Sequence, residues 1–139
     1  MKALGPITPG FEHDAEGRLL IGGHDVDTLV EQSGGTPLFV YDSGQMALRV
    51  RRFRAAFPDV ALHYAVKANP YAPLLEVMAG LVDGFDVASA GELGRVAHLG
   101  LPISFAGPGK RDQELETAIR AGITINLESE SEAERALVI

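Results

Sequence analysis

Residues 62–139 of this 139-residue sequence predict an α/β fold built on a parallel sheet. Four short apolar segments, marked by Tyr64, Phe85, Phe105 and Ile125, recur at intervals of 21, 20 and 20 residues, with amphipathic helical stretches between them. Strand–helix–strand units of this length pair in parallel through right-handed crossovers. Four such units without a glycine-rich nucleotide-binding fingerprint favour the N-terminal half of a (β/α)8 (TIM) barrel over a doubly wound sheet.

The segment before the barrel predicts a lead-in, two strands and a short helix. Residues 1–18 are rich in glycine, proline and charge, which is typical of a lead-in. "RLLIGG" (residues 18–23) predicts a strand, and "HDVDTLVEQSGG" (24–35) predicts a helix that ends at its two glycines. "TPLFVYD" (36–42) predicts a second strand.

Further helices are predicted from apolar residues that share one face. Ser43 begins the first of them, Pro58 ends it, and its apolar residues fall at i, i+4, i+7 and i+11. "SEAERALVI" begins a fourth barrel helix and the sequence stops there, so the half-barrel is expected to be truncated, with an open sheet edge. The predicted inward residues are Met46, Val50, Phe53 and Phe57; Leu74, Leu75, Met78 and Leu81; Leu93, Val96 and Ala97; and Leu115, Ala118 and Ile119.

Composition and charge narrow the class of protein. Hydrophobic residues make up 46% of the chain and charged residues 22%, which is an ordinary globular balance. The net charge of −7 argues against nucleic acid or an anionic membrane as the main partner. No cysteine is present, and no apolar run approaches the ~18 residues of a membrane span, so the sequence predicts a soluble, cytoplasmic protein. The one basic cluster is predicted to be a solvated helix face, formed by Arg49, Arg51, Arg52 and Arg54.

"HYAVKANP" (residues 63–70) contains Lys67 near the predicted end of a buried strand. An ammonium group is costly to bury alone, so this lysine is predicted to be paired, to reach solvent, or to be used chemically. By strand alternation Lys67 shares a face with Ala65, and on the next strand Asp86 shares a face with Ala88. Lys67 and Asp86 are therefore predicted to point into the barrel mouth, where barrel active sites lie. The alternative is a structural ion pair between them.

Several polar motifs have a structural explanation that suffices. "SAGE" (Ser89–Glu92) and "SESE" (Ser129–Glu132) are capping boxes. "GPGK" (Gly107–Lys110) is not followed by Ser or Thr and lacks the leading glycine of a phosphate loop, so it predicts a tight turn into a helix. The four histidines lack metal-ligand spacing and are interpreted as structural; they are His13, His24, His63 and His98.

Several blocks of the sequence, in order, resemble a known family: the fold-type III pyridoxal-phosphate decarboxylases, which include diaminopimelate and ornithine decarboxylases. "HYAVKANP" resembles the family's lysine motif, "GFDVASAGEL" the block on the second strand and helix, and "ISFAGPGK" the third block. "TPLFVYD" resembles the segment that precedes the barrel in this family. The family's barrel is of the alanine-racemase-like type. "DGFDVASAGEL" and "SFAGPGKRD" are most similar to the diaminopimelate-decarboxylase-like group found with exosortase and exopolysaccharide gene sets.

The resemblance implies an amino-acid decarboxylase that uses pyridoxal 5′-phosphate (PLP) and releases carbon dioxide. By resemblance, Lys67 forms the internal aldimine with PLP, Ala65 is the small residue beneath the cofactor, and Asp86 and Glu92 are acidic residues near the lysine. It also implies a homodimer and a second β-domain, while the spacing of the histidines predicts no metal site. Residues 1–42 are then the lead-in and first strands of that β-domain, and residues 43–139 the first half of the PLP-binding barrel. The family's phosphate loop and the partner of its ring nitrogen lie later in the chain.

Other functions remain open at this stage. Racemases and non-catalytic PLP-binding proteins of the same barrel type also carry a lysine on the first barrel strand. A cofactor-free Schiff-base aldolase and a non-catalytic fragment are further alternatives. "ANPYAP" after Lys67 differs from the racemase pattern, and strands before the barrel disfavour a single-barrel protein. The 139-residue chain alone is expected to be inactive, because half a barrel cannot close.

Overall fold

The computed structural model describes residues 10–139 and divides into two units, Met1–Arg51 and Arg52–Ile139. In the first unit, three strands form an antiparallel sheet in the order β1–β2–β3. β2 confirms the strand predicted at residues 18–23. The predicted lead-in lies partly outside the described residues, and its described part contains β1. The strands are β1 (Glu12–His13), β2 (Leu19–Ile21) and β3 (His24–Asp25).

Helix α1 (Val26–Ser33) has a side-chain cap at its start and a glycine at its end. The Asp25 carboxylate accepts hydrogen bonds from the backbone N–H groups of Asp27 and Thr28, at 3.1 and 3.0 Å. Such bonds satisfy donors that have no partner within the first turn. Gly34 ends the helix at φ 81°, a conformation that glycine adopts without a steric penalty. This confirms the helix and its glycine stop within residues 24–35, whereas His24 and Asp25 at the start of that segment form β3.

The strand predicted for residues 36–42 is wrong. This segment belongs to neither sheet, and its apolar side chains are exposed, with Phe39 at 83%. The apolar and β-branched composition of "PLFVY" favours a half-buried pleated surface, but a strand also needs a neighbouring backbone. No described strand of either sheet pairs with the segment.

Helix α2 (Ser43–Ala56) confirms the helix predicted between Ser43 and Pro58. Its start is capped by Asp42 rather than by Ser43, because the Asp42 carboxylate accepts hydrogen bonds from Gly44 and Gln45 N–H. Val50 is its buried residue. Phe57, predicted on the same face, follows the helix and is 53% exposed.

Four parallel strands form the sheet of the second unit, in the order β4–β5–β6–β7. The registers pair Tyr64 with Phe85, Phe85 with Ile103, and Phe105 with Ile125. All four residues that marked the predicted strands therefore lie in strands, and the predicted parallel order is confirmed. The strands are β4 (His63–Ala65), β5 (Gly84–Val87), β6 (Ile103–Phe105) and β7 (Thr124–Ile125).

One helix follows each strand of this sheet, and the core lies between the sheet and these helices. Phe85, Val87 and Phe105 on the strands are fully buried, as are Val96 and Leu115 on the helices. Ile119 and Ala97, predicted inward, are exposed, and Leu81 lies beyond the end of its helix. The helices are α3 (Ala72–Ala79), α4 (Ala90–Val96), α5 (Asp112–Arg120) and α6 (Glu130–Val138).

An ion pair fastens the N-terminal edge of this sheet. Asp83, just before β5, accepts a hydrogen bond from Leu62 N–H at 2.7 Å and pairs with the Arg54 guanidinium at 2.9 Å. Arg54 also donates to the Leu81 carbonyl at 3.1 Å. The prediction that this arginine belongs to a solvated face is therefore wrong, while Arg49, Arg51 and Arg52 are exposed as predicted.

No helix within residues 10–139 has both the length and the apolar character that crossing a bilayer requires.

Candidate functional site

Polar side chains collect where the parallel strands of the second unit end. The C-terminal ends of β4, β5, β6 and β7 lie at one edge of the sheet, because the strands pair in parallel. Ala65 at the end of β4 pairs with Asp86, and Asp86 pairs with Ser104 on β6. In barrel enzymes this edge, with the loops that follow it, carries the chemistry. We call it the C-terminal rim.

Lys67 lies in a 3₁₀ turn, Val66–Ala68, just beyond β4, and not on the strand as predicted. The turn is followed by Asn69–Pro70, where Asn69 is extended at φ −162°, ψ 110°, as a residue before proline prefers. Val66 is fully buried, whereas the Lys67 side chain is exposed. Within residues 10–139, no carboxylate or carbonyl lies within hydrogen-bond or ion-pair distance of its amine. The described residues therefore leave the amine uncommitted.

Asp86 lies on β5 and is half-buried, on the face opposite to the buried Phe85 and Val87. This confirms the predicted alternation along the strand. Its carboxylate accepts a hydrogen bond from the Ser104 hydroxyl at 3.0 Å. The described residues contain no ion pair between Asp86 and Lys67, so the alternative of a structural ion pair is wrong for this structure.

Glu92 is the third residue of α4, and Ser89 is its N-cap. The Ser89 hydroxyl accepts from Glu92 N–H at 3.2 Å, which confirms the N-terminal half of the predicted capping box. The Glu92 carboxylate accepts from Ala88 N–H at 2.9 Å, one residue before the cap. It therefore fastens the loop that directly follows Asp86 and Val87.

A buried ion pair at the rim was missed by sequence reasoning. The side chains of Lys110 and Glu132 are each 1% exposed, with Nζ 3.3 Å from the carboxylate. Lys110 Nζ also donates to the Gly107 and Asn126 carbonyls, both at 2.7 Å. Lys110 was assigned to a tight turn and Glu132 to a cap, and Glu132 N–H does bind the Ser129 hydroxyl as predicted. Only the three-dimensional fold joins two residues 22 positions apart.

The pKa of Glu132 reflects opposing effects. Burial on its own raises the pKa of this carboxyl. The Glu128 N–H, which donates at 2.9 Å, and the charged Lys110 amine together outweigh burial and hold the pKa of Glu132 below its usual value. The Glu132 carboxyl is therefore ionised inside the protein at neutral pH.

Glu114, the third residue of α5, links two loops of the rim. One carboxylate oxygen accepts from Arg111 N–H and the other from Ala90 N–H at the start of α4, both at 3.1 Å. The pKa of Glu114 is lowered to about 2, mainly by the hydrogen bond from Arg111 N–H. The bond from Ala90 N–H and the Arg111 side chain lower it further. Glu92, Glu114 and Glu132 all occupy the third position of the helix after a strand. That recurrence is the sequence signal that indicates their common role.

The histidines of the described residues do not contribute to the rim. His63 lies at the opposite end of β4, where a Cβ added to Gly84 would approach its ring to 2.6 Å. Residues 10–139 contain no group of three or more His, Asp or Glu side chains that would hold a metal ion.

Comparison with known proteins identifies the family. Residues 43–137 match the model of the pyridoxal-dependent decarboxylase family, pyridoxal-binding domain. Diaminopimelate decarboxylase of Aquifex aeolicus is 38% identical over 136 residues, which cover 95% of this chain and 32% of that protein.

Solved structures support the same family. Diaminopimelate decarboxylase from M. jannaschii matches with a TM-score of 0.84, and its complex with L-lysine with 0.82; both are 32% identical and cover 91% of this chain. Lysine/ornithine decarboxylase from Vibrio vulnificus, complexed with putrescine, has a TM-score of 0.71 at 27% identity over 89% of this chain.

The chain spans about a third of the length of these relatives: 32% of the Aquifex protein and 31% of the M. jannaschii chain. The matched structures confirm the predicted fold class, an α/β fold that corresponds to the N-terminal part of an alanine-racemase-like barrel. This chain therefore belongs to the pyridoxal-dependent decarboxylase family, and residues 43–137 match its pyridoxal-binding domain.

Proposed function

We propose that this chain carries the cofactor lysine of a PLP-dependent amino-acid decarboxylase, and that Lys67 is the residue to which PLP attaches. One observation carries the proposal. Lys67 presents an exposed amine at the C-terminal rim that no residue of 10–139 engages, in a chain that matches a pyridoxal-binding domain. The other described lysine, Lys110, is buried with three acceptors.

The residues beside Lys67 fit the flat ring of a cofactor held through an aldehyde. Ala65, two residues earlier, has the small side chain that leaves room for a flat ring. Asp86 on β5 is the ladder partner of Ala65, and Glu92 lies in the first turn of α4, so both supply negative charge on the neighbouring strand–helix unit. We infer that all three belong to the cofactor site together with Lys67.

The chemistry assigned to Lys67 is nucleophilic attack on an aldehyde, followed by proton transfer. A lysine amine attacks a carbonyl only when it is neutral, and the aldehyde oxygen leaves as water when the carbon–nitrogen double bond forms. When bound, PLP supplies an electron sink for the electron pair left when an amino acid loses its α-carboxylate as carbon dioxide. Lys67, once released from the cofactor, is then placed to carry the proton that replaces the carboxylate.

The substrate proposed is an amino acid with a second amino group. The relatives named above are diaminopimelate and lysine/ornithine decarboxylases, and one was solved with L-lysine. A homodimer, a cytoplasmic location, the exosortase-associated subgroup and a second β-domain that includes residues 1–42 belong to the same proposal. Each remains a prediction.

Release of labelled carbon dioxide tests the activity. The full protein is supplied with PLP and with meso-diaminopimelate, L-lysine or L-ornithine, each labelled with ¹³C in the carboxyl carbon. We expect ¹³CO2 from at least one of them, and at least a ~10³-fold loss of the rate with Lys67→Ala, because no other residue replaces a covalent nucleophile. Unlabelled carbon dioxide, or equal rates from wild type and Lys67→Ala, would contradict the proposal. Racemised substrate without ¹³CO2 would indicate a racemase instead.

A further inference from the structure

Three hydrogen bonds hold the backbone that directly follows Lys67, and two of them attach it to β4 and α4. The Tyr64 hydroxyl, on β4, donates to the Asn69 carbonyl at 3.3 Å. The Asn69 side chain accepts from Tyr71 N–H at 3.0 Å. The Arg95 guanidinium, on α4, donates to the Pro70 carbonyl at 3.3 Å. All three bonds fall on residues 69–71, directly after the lysine.

The Tyr64 bond differs from the others because it encloses Lys67. It joins residue 64 to residue 69, so the segment 65–68, with both Ala65 and Lys67, lies inside the closed loop. At the near end, the β4–β5 ladder holds Ala65 opposite Asp86. At the far end, the hydroxyl holds Asn69. The backbone of Lys67 is thus fixed on both sides although its side chain is exposed.

The ring of Tyr64 is itself held in place. It packs edge-on against Phe85, with the ring centroids 6.4 Å apart and the planes at 90°. Phe85 is fully buried in the core of the second unit. A phenylalanine at position 64 would keep this contact, so packing alone does not require the hydroxyl. The hydroxyl therefore links the turn to a ring that is packed against the core.

We propose that Tyr64 is a positioning residue for Lys67, and that its hydroxyl holds the lysine backbone where the amine meets the cofactor aldehyde. The inference rests on the proposed attachment of PLP to Lys67. A lysine side chain has four rotatable carbon–carbon bonds and many rotamers, so the location of its amine depends strongly on where the backbone is held. Misplacement of a reacting group by about 1 Å is costly for a reaction between two groups held by the protein.

The test compares Tyr64→Phe with wild type in the full protein, freed of cofactor. Each is equilibrated with a series of PLP concentrations and reduced with borohydride, and the pyridoxylated Lys67 peptide is quantified by mass spectrometry. We expect the half-saturating PLP concentration to rise about three- to tenfold in Tyr64→Phe, the size expected for one hydrogen bond. Reductive methylation of Lys67 by formaldehyde in cofactor-free protein should stay unchanged, because the amine remains exposed.

Thr117→Val is the matched control. Thr117 also donates its hydroxyl to a backbone carbonyl, that of Gln113 at 2.7 Å, but it lies on α5 and is exposed. The Thr117→Val variant should therefore show the same PLP dependence of Lys67 labelling as wild type. A merely structural role for Tyr64 would lower the unfolding temperature and leave this dependence as in wild type, which would overturn the inference.

Arg95 provides a second test if Tyr64→Phe fails to fold. Arg95→Met should raise the half-saturating PLP concentration. Arg95→Lys keeps a hydrogen-bond donor, so its half-saturating concentration should lie close to that of wild type. Unchanged PLP dependence in Arg95→Met would contradict the premise of the inference, that hydrogen bonds to the backbone after Lys67 set the position of its amine. Failure of the proposed function looks different, since wild type itself would then carry no pyridoxyl group on Lys67 at any PLP concentration.

Discussion

Lys67 and Lys110 are the two lysines among residues 10–139, and their surroundings are opposite. Lys67 is exposed and has no acceptor among the described residues, whereas Lys110 is buried among two carbonyls and a carboxylate. The sequence predicted Lys67 as a site residue from its place near the end of a buried strand, and that role stays a prediction. It did not predict the role of Lys110, because the partners Asn126 and Glu132 belong to the next strand–helix unit.

Glu114 gives a prediction at the residue scale. Its folded-state pKa is lowered from 4.5 to about 2, so its contribution to stability is present above about pH 4.5 and is lost as the pH falls toward about 2. The full difference corresponds to about 3 kcal/mol. Glu114→Gln should lose about 1–3 kcal/mol at pH 7, because one amide oxygen cannot accept from both Ala90 and Arg111 N–H.

Urea unfolding at pH 7 and pH 3 measures this effect. Wild type should lose more stability between the two pH values than Glu114→Gln does. Glu116→Gln is the control on the same helix, since Glu116 pairs only with the exposed Arg120. Identical pH dependence in wild type and Glu114→Gln would show that this carboxylate is not held ionised by the two N–H groups.

At the scale of elements, the strands and helices that recur along the chain were predictable and their exact ends were not. The period of about 20 residues follows from strand–helix geometry, so Tyr64, Phe85, Phe105 and Ile125 were placed in strands from sequence alone. The segment 36–42 has the composition of a strand but no partner strand among residues 10–139. β4 ends at Ala65, two residues before the lysine, because the chain turns there toward Asn69–Pro70.

The ion pair between the α5 and α6 regions gives a prediction for these elements. Lys110→Met alone should cost about 3–5 kcal/mol in the free energy of unfolding, because it leaves the Glu132 charge buried without its partner. The double variant Lys110→Met/Glu132→Leu should be more stable than Lys110→Met, since it removes both charges. The Gly107 and Asn126 carbonyls still lose their donor, so recovery should be incomplete.

Denaturant unfolding of the two single variants and the double variant measures the coupling between the residues. Additive losses would contradict a buried, mutually stabilising pair. The exposed pair Arg120–Glu116 provides the comparison, and its removal should change stability by less than about 1 kcal/mol.

At the scale of the whole molecule, the arrangement of loops at the C-terminal rim connects the fold to the proposed chemistry. Three glutamates at the starts of successive helices bind backbone N–H groups there, and their number and partners were not predictable from one helix at a time. Each carboxylate holds a loop that follows a strand, and Glu114 reaches into the loop of the preceding unit. Lys67 lies at this rim, and its amine has no partner in the described part of the chain.

Mapping of the reduced cofactor adduct tests the central claim most directly. The full protein is incubated with PLP, reduced with borohydride, digested and analysed by tandem mass spectrometry. A pyridoxyl group on the peptide that contains Lys67, absent from Lys67→Ala and absent from the Lys110 peptide, is the result predicted from the exposed and buried amines. A pyridoxyl group on Lys110 or on another lysine in wild type, or none on Lys67, would contradict the assignment.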